Sequence, residues 1–223
     1  MKETLSKKLL YEQVARVGKA LSSAKRLELL ELLAQGEKAV ETLAAELASD
    51  LRLTSAHLKV LKEAGLVTSR RDGKYMIYAL SGGDIASLLV YLRQVAEQHL
   101  IELKLALASL MDDSAMLTGC DRNSLLEQAR RGEVIVIDVR PQAEYAAAHL
   151  PCARSMPLQE IERRVAELPL GKDIVAYCRG PFCLLSDTAV SLLSAHGYRV
   201  RKLADGVSEW QAAGLPVESG SEV

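Results

Sequence analysis

Aromatic residues are scarce in this chain, with one Trp, one Phe and seven Tyr among 223 residues. Leu and Ala supply most of the interior instead, which favours helices. There are only four cysteines, too few and too scattered for the disulfide framework of a small secreted scaffold, and none precedes Cys120. No apolar run is long enough to cross a bilayer. The most apolar stretch, Leu100 to Leu110, is interrupted by Glu102 and Lys104 and falls short of the roughly 20 residues a spanning helix needs. Met1-Lys2-Glu3-Thr4 lacks the apolar core of a signal peptide. A soluble, cytoplasmic protein with no membrane partner is therefore expected. Internal repeats and low-complexity tracts are also missing, and the length suits two modest domains, each with its own core.

The formal net charge of −1 conceals an uneven distribution. Residues 1–110 carry 16 Lys and Arg against 13 Asp and Glu. Residues 52–74 alone hold Arg52, Lys59, Lys62, Arg70, Arg71 and Lys74 against two acidic residues. A basic stretch of this kind fits a nucleic-acid partner, and a solvated surface fits it equally well.

The first half reads as amphipathic helices over Leu5 to Leu21 and Ala24 to Leu33, closed by Gly36, then a short helix from Val40 to Leu47. Asp50 is placed to cap a helix over Leu51 to Ala64, which Gly65 ends. Two strands, Leu66 to Arg70 and Tyr75 to Leu80, flank the turn signal Asp72-Gly73. A long helix from Asp84 to about Met111 follows. This is the order of a winged helix-turn-helix. On the wheel for 51–63, Leu51, Thr54, Leu58 and Leu61 share an inward face, while Arg52, Ser55, Ala56 and Lys59 lie on the other. That outer face carries residue types that contact base edges and phosphates in the major groove, with Arg70, Arg71 and Lys74 reaching neighbouring phosphates. A helical domain with a solvated charged face would show the same pattern.

The wording of the sequence goes further. Leu21-Ser-Ser-Ala-Lys-Arg-Leu-Glu-Leu-Leu, His57-Leu-Lys-Val-Leu-Lys-Glu-Ala-Gly-Leu-Val and Arg70-Arg-Asp-Gly-Lys-Tyr resemble the ArsR-type family of small dimeric repressors over roughly residues 10–108. The resemblance implies binding to double-stranded operator DNA as a homodimer, paired through the first and last helices. Many members of that family sense metals. Here the cysteines of the thiolate version are missing, and His99 and Glu102, three apart on one helical face, supply half of the terminal-helix version without an upstream Asp-x-His partner. Two ligands per helix do not close a zinc site. No metal and no cofactor are expected.

The stretch 111–121 reads as a linker, after which the pattern changes. Val134-Ile135-Val136-Ile137 is a continuous apolar run, as in a strand covered on both faces. Helices are expected near Ala143 to Ala148, Leu158 to Glu167, Leu184 to His196 and Ser208 to Ala213, with strands at Ile174 to Tyr177 and Arg199 to Leu203. Alternation of this kind implies an α/β layer structure.

Within it, Cys178-Arg179-Gly180-Pro181-Phe182-Cys183 follows a buried strand and precedes a helix starting at Leu184. A thiol placed there meets outward-facing backbone N–H groups and the positive end of a helix. Both favour an anion and should lower the thiol pKa. Leu184 stands where a phosphate- or arsenate-handling loop of the Cys, five residues, Arg type would have its guanidinium, so tetrahedral oxyanion chemistry is not expected.

Ile137-Asp-Val-Arg140, Glu144-Tyr145, Ala148-His-Leu-Pro151, Met156-Pro-Leu158, Tyr177-Cys-Arg-Gly180 and Leu203-Ala-Asp-Gly206 through Trp210 to Val217 resemble the rhodanese (sulfurtransferase) domain over about 122–218. The resemblance implies that Cys178 accepts sulfur as a persulfide and that residues 179–184 cradle it. It also implies that Asp138 and Arg140 brace the loop. The chain departs from the pattern at Cys152-Ala153 and Asp205-Gly206, outside the loop. Arg179 could hold the sulfonate of thiosulfate or a carboxylate of a thiol donor. Cys183 is either a small residue at a helix start or a resolving thiol. Cys120 and Cys152 read as incidental.

The expected architecture is an α+β winged helix-turn-helix domain (1–110), a linker (111–121) and an α/β rhodanese-like domain with a mostly parallel sheet (122–223). The expected function is transcriptional regulation, with sulfane sulfur accepted or sensed at Cys178 from thiosulfate or a low-molecular-weight persulfide. Two other readings stay open. One is a sulfurtransferase that uses its first half for dimerisation or targeting; the other is a plain DNA-binding module with a catalytically dead second half.

Overall fold

A computed structural model describes residues 2–110, 117 and 122–221. The chain divides into two compact units, Met1–Leu89 and Val90–Val223.

The first unit opens with α1 (Lys2–Leu21) and α2 (Ala24–Ala34), followed by a two-residue strand β1 (Lys38–Ala39) and α3 (Val40–Glu46). Next come α4 (Leu51–Glu63), the strands β2 (Val67–Asp72) and β3 (Tyr75–Leu80), and the start of α5 (Gly83–His99). Asp50 caps α4, its carboxylate accepting from the N–H groups of Arg52 at 2.8 Å and Leu53 at 3.1 Å. Gly65, at φ +78°, closes it in the left-handed region that costs glycine least. The apolar stripes of α2, α3 and α4 meet in a core of Leu29, Leu30, Leu33, Leu43, Leu58 and Leu61. β2 and β3 pair antiparallel around the tight turn at Gly73, with Arg70 opposite Ile77. β1 adds a third strand beside β3. Its two residues are too few for a period-2 signal, so only tertiary pairing reveals it.

α5 ends at His99 and α6 (Ile101–Leu110) begins after a one-residue break at Leu100. The single long helix expected from Asp84 to Met111 is thus two helices, although the ladder continues across the junction, with Leu100 N–H donating to the Ala96 carbonyl at 2.8 Å and Lys104 N–H to the Leu100 carbonyl at 3.3 Å. No Pro or Gly explains the break.

The second unit continues with α7 (Arg122–Arg130), β4 (Val134–Asp138), α8 (Gln142–Ala147) and β5 (Arg154–Ser155). After α9 (Ile161–Arg164) come β6 (Asp173–Tyr177), α10 (Leu185–Ala195), β7 (Arg199–Lys202) and α11 (Val207–Ala212). The sheet order is β5-β4-β6-β7 and every pairing is parallel. All five residues of β4 are buried, as a strand covered on both faces requires. One face packs Ile135, Ile137, Ile174, Ala176 and Leu193 together with Cys178. The other packs Val136, Tyr145, Val175, Tyr177, Leu203 and Trp210.

The helix expected over Leu158 to Glu167 is α9 with one 3-10 turn on each side. Arg164 ties this segment to β5 and to itself. Its guanidinium reaches the Ser155 carbonyl at 3.1 Å and is shared between Glu160 and Glu167. Apart from Leu117, the stretch read as a linker lies outside the described residues, as does Cys120. The Leu117 N–H donates to the Lys202 carbonyl at 2.8 Å. No described helix is long and apolar enough to cross a membrane.

Candidate functional site

Cys178 is the first residue after β6, and the parallel sheet delivers it to the carboxyl edge where α10 begins. Its side chain is buried, at 1% exposure, and its sulfur lies 3.2 Å from Ser186 Oγ in the first turn of α10. The Cys183 thiol, the Ser186 hydroxyl and the backbone N–H groups of Ser186 and Gly180 donate to it and hold its pKa down to about 6, against the opposing cost of burial. The Cys183 carbonyl, 3.2 Å away, is an acceptor for the thiol form and works against the anion, but the converging donors outweigh it. The lowered pKa favours the thiolate, the nucleophilic form of the residue.

Glycines set the shape of the loop. Gly180 has φ +143°, outside the range ordinary side chains adopt, and a Cβ there would meet the Glu209 carboxylate at 3.2 Å. Gly206 lies under the loop from the β7–α11 turn. A Cβ on it would stand 2.7 Å from the carbonyl groups of both Cys178 and Arg179, so the two backbone segments can only approach over a bare Cα. Cys183 N–H closes a turn onto the Gly180 carbonyl at 3.1 Å. Pro181 is half-buried, while Phe182 and Leu184 are exposed on the rim.

Arg179 does not present an unmatched charge for a donor's sulfonate or carboxylate. Its guanidinium lies against Glu144 of α8, with Nε 2.9 Å from Oε2. Asp138 and Arg140 are fully buried and pair with each other. The Tyr177 hydroxyl donates to Asp138 at 2.7 Å and accepts from Leu150 N–H at 3.1 Å. Burial first, and the Asp138 charge second, push the Tyr177 phenol well up, so it stays a donor. Asp138 and Arg140 thus reach the loop through Tyr177, the residue before the nucleophile.

Four further residues of this site carry no role in the sequence reading: Ser186, Glu144, Tyr177 and Glu209. Ser186 was the most legible, since a serine in the first turn of the helix behind the loop is the natural hydroxyl donor. Glu209 is nearly buried, accepts from Gly206 N–H at 2.6 Å and pairs with Arg93 of the same unit at 2.8 Å. The Arg93 guanidinium in turn lies 5.6 Å from the centre of the Phe182 ring.

In the first unit, Arg52, Ala56 and Lys59 stand exposed on one side of α4, with Ser55 half-buried beside them. Thr54, Leu58 and Leu61 face the core. Leu51, expected to face inward, is 44% exposed, because the first turn of α4 overhangs a surface hollow lined by Glu41, Ala44 and Ala48. On the wing, Arg71 and Lys74 are exposed. Arg70 is exposed too, but it is already paired with Glu37 and Asp72. Among the described residues no group of three His, Cys, Asp or Glu side chains is placed to hold a metal ion.

A winged helix-turn-helix in the first half and a parallel α/β layer presenting a thiolate loop in the second define a two-part regulator of transcription. Residues 23–69 match the bacterial regulatory protein, arsR family, and residues 121–213 match the rhodanese-like domain. The HTH-type transcriptional regulator Rv0324 of Mycobacterium tuberculosis is 43% identical over 97% of this chain and 95% of its own length. A protein called sulfurtransferase from Allochromatium vinosum is 35% identical over 46% of this chain and 95% of its own length. Among solved structures, the homodimeric winged helix-turn-helix DNA-binding domain (fragment 1-100) of Mb0332 from Mycobacterium bovis is 47% identical. It covers 43% of this chain and 89% of that chain, with a TM-score of 0.41. The chain belongs to the ArsR family of transcriptional regulators, in a form that carries a rhodanese domain after the DNA-binding half.

Proposed function

We propose that this regulator accepts sulfane sulfur on Cys178 as a persulfide, and that the loaded state is the signal it reports at its operator. One observation carries the reading. Cys178 stands buried at the end of β6 with its sulfur 3.2 Å from Ser186 Oγ at the start of α10, a setting whose donors lower its pKa and favour the thiolate. A nucleophile of that kind attacks the terminal sulfur of a low-molecular-weight persulfide or of thiosulfate, and the surrounding donors then stabilise the new anionic sulfur. With Arg179 matched by Glu144, a persulfide donor suits the site better than dianionic thiosulfate. Residues 1–110 serve as the DNA-binding and dimerisation domain and 122–223 as the sulfur domain. Operator DNA is held by Arg52, Ser55, Ala56 and Lys59, and the wing adds phosphate contacts. Leu9, Leu10, Tyr11 and Val14 on α1 and Tyr91 and Val95 on α5 are exposed, which supports a homodimer formed through those helices. The site of action is the cytoplasm.

The test is a pair of operator-binding isotherms, with the protein reduced and after loading with a low-molecular-weight persulfide. A several-fold change in affinity that disappears in Cys178→Ser supports the reading. Loading without any change in affinity favours the second reading, a sulfurtransferase tethered to a DNA-binding half. The likeness to the Allochromatium vinosum protein is the observation behind that alternative.

A further inference from the structure

The loop after Cys178 folds back to bring Cys183 beside it. Both are free thiols, and Cys183 packs against the core cluster that contains Cys178. The turn from Cys183 N–H to the Gly180 carbonyl, at 3.1 Å, puts the Cys183 carbonyl 3.2 Å from the Cys178 sulfur. The pair is asymmetric. Its hydrogen bond to Cys178 first, and burial second, push the Cys183 thiol up.

Resting on the Cys178 persulfide reading, we propose that Cys183 is a resolving thiol that discharges the persulfide as hydrosulfide and leaves a Cys178–Cys183 disulfide. The bond between Cys178 Sγ and the terminal sulfur breaks, and a bond between the two Sγ atoms forms. The terminal sulfur leaves with the electron pair of the broken bond and takes the Cys183 proton, departing as HS⁻. One sulfane sulfur is reduced while the two cysteine sulfurs are oxidised, two electrons in each direction, so no outside oxidant enters. The disulfide removes the thiolate that the Ser186 hydroxyl and the loop amides now hold. The loop thereby converts a transient persulfide into a durable oxidised state.

The experiment uses the full chain, reduced and free of oxygen, with one equivalent of glutathione persulfide, read by intact mass and peptide mapping. Trypsin cuts after Arg179, between the two cysteines, so a disulfide appears as two joined peptides. The wild type should end about 2 Da lighter and release about one hydrosulfide per chain, whereas Cys183→Ser, which loads more slowly because it loses a donor to the Cys178 anion, should once loaded hold a gain of about 32 Da, the mass of one sulfur, and release none. Cys183→Ala, which keeps no hydroxyl, should load more slowly still and also hold the sulfur without releasing hydrosulfide. A wild type that retains the added sulfur as long as Cys183→Ser, or carries it on Cys183, overturns the resolving role and leaves the Cys178 persulfide standing. No gain in any of the three chains overturns both.

Discussion

Arg179 and Glu144 face each other through two hydrogen bonds from one guanidinium, Nε to Oε2 at 2.9 Å and Nη2 to Oε1 at 2.5 Å. The Glu144 side chain is 2% exposed and that of Arg179 16%. The residue next to the nucleophile is therefore anchored to α8, and its charge is balanced before any donor arrives. Breaking such a pair from one side leaves a buried charge without a partner. Glu144→Ala is expected to destabilise the fold by about 3–5 kcal/mol in urea unfolding. Arg179→Ala in the same background should restore part of that loss. A double variant no more stable than Glu144→Ala would show that the pair is not what holds the loop.

Alkylation kinetics report the state of Cys178. With a folded pKa of about 6, the thiolate predominates above that pH, and its reaction with iodoacetamide should decline only as the pH falls through about 6. An ordinary cysteine loses reactivity already below about pH 8.5. Ser186→Ala removes a hydroxyl donor from the anion, so the midpoint should move up and the rate near pH 6 should fall several-fold. An unchanged profile in Ser186→Ala would remove Ser186 from the site. Because Cys178 is 1% exposed, a bulky aromatic disulfide should react far more slowly than iodoacetamide.

Gly206→Ala introduces a methyl group 2.7 Å from the Cys178 and Arg179 carbonyl groups. The backbone must move to admit it, and overpacking of this kind costs roughly 1–3 kcal/mol. The variant should lose thermal stability and load sulfur several-fold more slowly. Wild-type loading kinetics in a well-folded Gly206→Ala would mean that the β7–α11 turn does not set the loop.

For DNA, Arg52→Ala and Lys59→Ala should each weaken operator binding and flatten its salt dependence by about one counterion per lost phosphate contact. Arg70→Ala should have a smaller effect, since Arg70 already shares its charge with Glu37 and Asp72. Fluorescence anisotropy at several salt concentrations separates these outcomes. Equal losses from all three substitutions would mean that Arg70 leaves its acidic partners on binding.

Leu58 is fully buried at the centre of the first core. Leu58→Ala should destabilise the DNA-binding unit by about 2–5 kcal/mol. The second unit has its own two apolar clusters, so the near-ultraviolet signal of Trp210 should persist through that first transition. Simultaneous loss of both signals would show that the units unfold as one.

The sequence by itself determined whatever is encoded locally. The Asp50 cap, the Asp72-Gly73 turn and the unbroken apolar β4 are each written in a few adjacent residues whose physics does not depend on distant partners. Tertiary structure decided the rest. β1 and β5 are two residues each, and exist only because β3 and β4 offer them hydrogen bonds. The exposure of Leu51 depends on where α3 stops. Arg179 is matched by a carboxylate 35 residues earlier, a pairing that no local pattern announces. Cys178 owes its lowered pKa to where the chain brings Cys183 and Ser186, because charge stabilisation acts through space and the sequence records only order.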